Sequence, residues 1–101
     1  MRDEIISRLN NIRHTLHAVE KESLENITAE ELEQALKQDF DVIEEHPDDP
    51  RGASCLLLCS IHKSPIHVVC APHEDALIII IVYRPDLNIW KDDYKQRRSV
   101  K

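Results

Sequence analysis

Residues 65–86 read PIHVVCAPHEDALIIIIVYRPD, and Ala76–Tyr83 within them (ALIIIIVY) is apolar throughout before Arg84, Pro85 and Asp86. Eight residues fall far short of the roughly 20 that a membrane-spanning helix needs. The β-branched content favours a strand over a helix, here Leu77–Tyr83. A strand apolar on both faces belongs inside a sheet, covered on both sides or central beneath a helix layer.

Working outward, Ala71–Asp75 reads as a turn, Ile66–Cys70 as a strand and His62–Pro65 as a hairpin loop. Ser54–Ile61 is a further strand, with Cys55, Leu57 and Cys59 on one face and Leu56 and Leu58 on the other. HPDDPRG (46–52) holds two prolines and the only glycine, so it is a loop, and 40–46 before it reads as a strand. Downstream, Trp90 and Tyr94 stand four apart in Leu87–Arg98, which predicts a short C-terminal helix laid back on the sheet.

The first half is helical. Ile5, Ile6 and Leu9 share a helical face over 2–9, and Asn10 and Asn11 favour a break. NIRHT (11–15) suits either strand or helix. Leu16–Leu24 is helical again. Thr28-Ala-Glu-Glu31 is a capping box opening a helix that buries Leu32, Ala35 and Leu36 and ends near Gln38. The expected fold is α+β: N-terminal helices on an antiparallel sheet of about four strands, with a short C-terminal helix. Residues 1–98 form a single domain and 99–101 a short tail.

Composition narrows the function classes. The N-terminus MRDEIISRLN is amphipathic rather than a secretory leader. Cys55, Cys59 and Cys70 form no CxxC and all lie in apolar segments, which predicts reduced core thiols in a cytoplasmic protein. The net charge of −6 is unevenly spread: residues 1–50 carry 14 acids and five bases, residues 51–101 five acids and eight bases. The first half therefore repels a nucleic-acid backbone, and the second tolerates one. The stretch Glu30–Asp49, with nine acids and one base, is a solvated face or a docking surface for a basic partner.

Six histidines and three cysteines raise the question of zinc, but Cys55 and Cys59 on one strand stand roughly 13 Å apart, too far to share an ion. No metal site is expected. The chain has no Ser-His-Asp pattern, and its single glycine leaves no phosphate-cradling loop, so no cofactor is expected either. The chemistry-bearing candidates are His17 at the start of the second helix with Lys21 one turn on, His67 interrupting an apolar strand, and Tyr83 with Arg84 where the most buried strand ends.

The stretches LHA (16–18), ITAEELEQAL (27–36), IEEHPDDPRGASCLLL (43–58) and IHVVCAPHEDALIIIIVYRPD (66–86), with the Trp90–Tyr94 region, resemble a bacterial domain-of-unknown-function family (DUF4258). Members of that family look like RelE/ParE-type toxins, in which a strand, two helices and an antiparallel sheet follow in order, and they are often encoded beside small zinc-finger antitoxin-like proteins. The resemblance implies a toxin-like binding module of a two-gene system, pairing with a small partner protein. Its alternative is a metal-free endoribonuclease toxin acting on mRNA or translation. Such an enzyme needs a base, an acid and a cation for the phosphorane, for which His17 or His67, Tyr83, Lys21 and Arg84 are the matching types. This chain has Lys21 and Glu25 where the family usually has arginines, and Ile81 where it commonly has Thr. Glu25 reverses the charge that a phosphate site needs, so RNA is the disfavoured partner.

Overall fold

The Thr28 hydroxyl accepts from the Glu31 amide at 3.0 Å, and the Glu31 carboxylate accepts in return from the Thr28 amide at 3.0 Å. This box starts the helix expected there. The computed structural model describes residues 1–99; Val100 and Lys101, the end of the expected tail, lie outside the described residues. In chain order the elements are α1 (Arg2–Ile6), β1 (Ile12–His14), α2 (Leu16–Leu24), α3 (Ala29–Gln38), β2 (Asp41–His46), β3 (Ser54–Ile61), β4 (Ser64–His73) and β5 (Ala76–Tyr83).

The fold is α+β, with N-terminal helices packed on a mixed, mostly antiparallel sheet of order β1-β5-β4-β3-β2. NIRHT supplies the fifth strand: Ile12–His14 pairs in parallel with Leu77–Ile79. The segment α2–α3 then carries the chain from one edge of the sheet to the other, and β2–β3–β4–β5 returns as a meander. Interior strand β5 therefore lies between β1 and β4, and β4 is the middle strand. Among the described residues no helix is long and apolar enough to cross a membrane.

Local chemistry sets the boundaries. Helix α2 begins on Thr15, whose hydroxyl accepts from the Ala18 amide. It ends in a Schellman motif with Asn26 at φ 59°, where the Ile27 amide bonds to Glu22 O and the Asn26 amide to Ser23 O. The β3–β4 turn is only His62-Lys63, at φ 50° and 66°, the paired positive values of a type I′ hairpin. Strand β4 runs through Pro72 to His73, past the turn expected from Ala71. Proline is accepted there because β3 pairs only as far as Cys55↔Cys70, so the missing N–H meets no neighbouring strand on that side.

The core lies between sheet and helices. Cys55, Leu57 and Cys59 of β3, Ile66, Val68 and Cys70 of β4, and Leu77, Ile79 and Val82 of β5 meet Ala18, Leu32 and Leu36.

The C-terminal helix expected over Leu87–Arg98 is not formed; among the described residues this segment is a looped strap. The Asp86 and Asp93 carboxylates accept from the Asn88 and Lys95 amides at 2.8 and 2.9 Å, which turns the chain locally and competes with helix formation. Trp90 and Arg97 form an antiparallel bridge instead. The strap does lie back on the sheet, against the face opposite the helices: Lys95 reaches Asp41 at 3.3 Å, and the Arg97 guanidinium reaches Glu44 at 2.8 and 3.2 Å.

Candidate functional site

On the sheet face opposite the helices, the register sets His67 of β4 directly beside Tyr83 of β5. Strand alternation turns both away from the core residues Ile66, Val68 and Val82. His67 is fully buried, although it interrupts a run of apolar neighbours, because Trp90 of the strap packs edge-on against its ring with centroids 4.5 Å apart. Its Nε2 lies 2.7 Å from the Tyr94 carbonyl and its Nδ1 3.2 Å from the Tyr83 hydroxyl. A carbonyl only accepts, so Nε2 carries the hydrogen, and in the neutral ring Nδ1 accepts from Tyr83 O–H. Burial pushes His67 below its usual range against the opposing pull of the Tyr94 carbonyl, and burial raises Tyr83. Arg97 lies 4.6 Å over the Trp90 ring, and its bond to Glu44 lowers that carboxylate.

The other three sequence candidates do not join this pair. His17 is exposed on α2, and Lys21 is half-buried one turn on, both in the helix layer. Arg84 follows Tyr83 but is held by Glu25 at the end of α2: its amide donates to the Glu25 carboxylate and its guanidinium to the Glu25 carbonyl, both at 3.0 Å. The Glu25 carboxylate is thus satisfied by the Arg84 backbone amide rather than by an ion pair with the guanidinium. His67 and Tyr83 come together under Trp90, Lys21 and Arg84 belong to the α2 side, and the five form no single constellation. An open groove of about 340 Å³ bordered by Phe40, Leu58, Pro65 and Tyr94 contains none of them.

A second cluster lies outside the sequence candidates. His14, at the end of β1, lies with Nδ1 2.6 Å from the Glu22 carboxylate of α2 and Nε2 2.8 Å from the Glu33 carboxylate of α3. The side chains of His14 and Glu22 are 10% and 4% exposed, so this is a buried ion cluster rather than a surface pair. Burial alone would lower the His14 pKa, but the hydrogen bonds and charges of Glu22 and Glu33 outweigh it and raise it. A doubly protonated ring donates to both carboxylates and ties three elements together. One signal for it is present in the sequence: Glu22 stands one turn after the buried Ala18, on the stripe of α2 that faces the sheet.

The solvent face of α2 carries three apolar side chains. Leu16 and Leu24 are 76% and 77% exposed and Val19 47%, with His17 and Glu20 exposed among them.

No curated protein and no solved structure matches the chain. The family described as Domain of unknown function (DUF4258) matches residues 14–84, from His14 of the buried cluster to Arg84 at the end of β5. That span is most of the chain, and the protein belongs to the DUF4258 family.

Proposed function

We propose that this protein is a toxin-like binding module of a two-gene, toxin–antitoxin type system, and that it pairs with a small partner protein. The observation that carries the reading is the outer face of α2, where Leu16, Val19 and Leu24 stand in solvent on a helix otherwise anchored to the sheet. The order β1, α2, α3 and then an antiparallel meander fits what the resemblance to RelE/ParE-type toxins implies and supports the same reading. The partner segment that fits this face is apolar with lysine or arginine flanks, because Glu20 lies among the leucines and residues 1–50 carry 14 acids against five bases. RNA is the less favoured partner, since the candidate His, Lys, Tyr and Arg side chains are spread over both sides of the sheet and the net charge is −6.

The test is co-expression with the product of the adjacent gene. The two proteins should co-purify, and the double variant Leu16→Asp/Leu24→Asp should keep its circular dichroism and lose the partner. If the chain elutes alone with that product present, the reading fails. Growth arrest relieved by His67→Ala would replace it with the metal-free endoribonuclease.

A further inference from the structure

Two of the three core cysteines face each other. Cys55 of β3 and Cys70 of β4 are partners in the antiparallel register, both fully buried, with their sulfurs 3.5 Å apart. The third, Cys59, lies on the same face of β3, but its register partner is Ile66. Cys55 Sγ also lies 3.7 Å from the Cys70 carbonyl. A reduced pair then has Cys55 S–H directed at that carbonyl and Cys70 S–H at the Cys55 sulfur.

We propose that Cys55 and Cys70 are a redox modification site: a dithiol that closes to a disulfide on oxidation by a hydroperoxide, leaving Cys59 as the free thiol. Directly opposed residues on neighbouring antiparallel strands stand about 4.5 to 5.5 Å apart at Cα, inside the span that a disulfide accepts. Closure needs the sulfurs to move from 3.5 Å to about 2 Å, which side-chain rotation supplies without re-registering the strands.

The surroundings assign the roles. The hydrogen bond from Cys70 lowers the Cys55 pKa, while Cys70 is raised by that same contact and by burial, and burial pushes Cys59 up to about 12. Cys70 S–H, directed at the Cys55 sulfur 3.5 Å away, stabilises a thiolate there, so Cys55 is the attacking sulfur. Glu45 is its register partner on β2, and the Met1 ammonium lies 3.5 Å from the Glu45 carboxylate, so Cys55 lies near the start of α1. That helix is only five residues long, and displacing it gives a molecule the size of hydrogen peroxide its way in.

The chemistry balances. The Cys55 thiolate attacks one peroxide oxygen, the S–O bond forms, the O–O bond breaks, and hydroxide leaves. The hydroxide takes the Cys70 proton to become water. The Cys70 thiolate attacks the Cys55 sulfenic sulfur, the S–S bond forms, and the departing hydroxide takes the proton that Cys55 released. Two thiols lose two electrons, and one peroxide becomes two waters.

The test treats the full-length native protein with hydrogen peroxide, quenches, alkylates under denaturing conditions and maps the peptides. The expected product has lost the mass of two hydrogens, carries a Cys55–Cys70 link, alkylates only at Cys59, and reverts with dithiothreitol. Cys59→Ser should close at the wild-type rate. Cys70→Ser should stop at a Cys55 sulfenic acid that dimedone traps. The proposal is overturned if the native protein keeps all three thiols under conditions that oxidise the urea-unfolded chain. Links to Cys59 formed as readily as Cys55–Cys70, in wild type, would overturn it equally. Both of these readouts use the unmutated pair, so neither depends on whether a variant folds.

Discussion

The Nδ1 atom of His14 and the carboxylate of Glu22 are 2.6 Å apart in the interior, joining the shortest strand of the sheet to the first helix laid on it. His14→Ala would strand the Glu22 carboxylate, which is almost entirely out of solvent. Breaking one side of such a pair costs more than the pair itself contributes, because the remaining charge is buried without compensation. We expect destabilisation of about 3 kcal/mol by urea unfolding at neutral pH. Glu33→Gln, at the more exposed end of the cluster, should cost about 1 kcal/mol.

The two buried histidines shape stability against pH in opposite senses. His14 is raised in the fold, so its contribution is complete below the unfolded value of 6.5 and is lost as pH rises through the folded value above it. His67 is lowered, so its contribution is complete above 6.5 and is lost as pH falls through the folded value below it. Within the histidine range, the curve of unfolding free energy should therefore peak near 6.5. His14→Gln should flatten the alkaline flank. His67→Gln, whose amide can still donate to the Tyr94 carbonyl, should flatten the acid one.

Tyr83→Phe removes the hydroxyl that donates to His67 Nδ1 and leaves a buried acceptor without a donor. A cost of about 1 to 2 kcal/mol follows, measurable as a fall in Tm. A variant as stable as the parent would mean that the Tyr83–His67 hydrogen bond contributes nothing to stability.

Trp90 is the anchor of the strap, 2% exposed and seated on His67. Trp90→Ala should cost about 3 to 4 kcal/mol and let the His67 pKa rise toward 6.5, read by NMR titration. Arg97→Ala loosens the same strap at its rim, where the ion pair with Glu44 is half in solvent. The expected loss is about 1 kcal/mol, with a red shift of the single tryptophan's fluorescence.

The Thr28 box is a local and separable contribution. Thr28→Ala removes the acceptor for the Glu31 amide and should cost about 1 kcal/mol, read by urea unfolding at neutral pH.

Much of this architecture is readable from residue order. The Ser54–Ile61 strand and the helix after Thr28 lie where their patterns put them, since each is specified by neighbours within one turn or one pleat. The strand identity of Ile12–His14 is not decidable from those residues, because its partner is β5, far along the chain. The Trp90–Tyr94 spacing points to a helix that does not form, because spacing alone leaves out the aspartates that turn the backbone. Of the candidate site, the His67–Tyr83 adjacency depends on the register shift between Val69 and Cys70, without which the hairpin would set Val82 opposite His67, and residue order does not announce that shift. The His14 cluster is signalled in the sequence only by Glu22 on the inward stripe of α2, because Glu33 looks like an ordinary helix-surface acid until the helices are docked.

The parallel pairing of β1 with β5 has a consequence for the order of assembly. Thr15 bonds through its hydroxyl to the Ile80 carbonyl across 65 residues, and the Asn11 carbonyl accepts from the Leu77 amide over a similar span. Of the five strands of this sheet β1 is made first, yet its one neighbour among the described residues, β5, is made last of the five. The meander β2–β5 can close through short hairpins, whereas β1 has to wait for the largest loop in the domain to close. Of the five strands β1 is thus the last to find its place, and with it the His14 cluster that fastens α2 and α3 to the sheet.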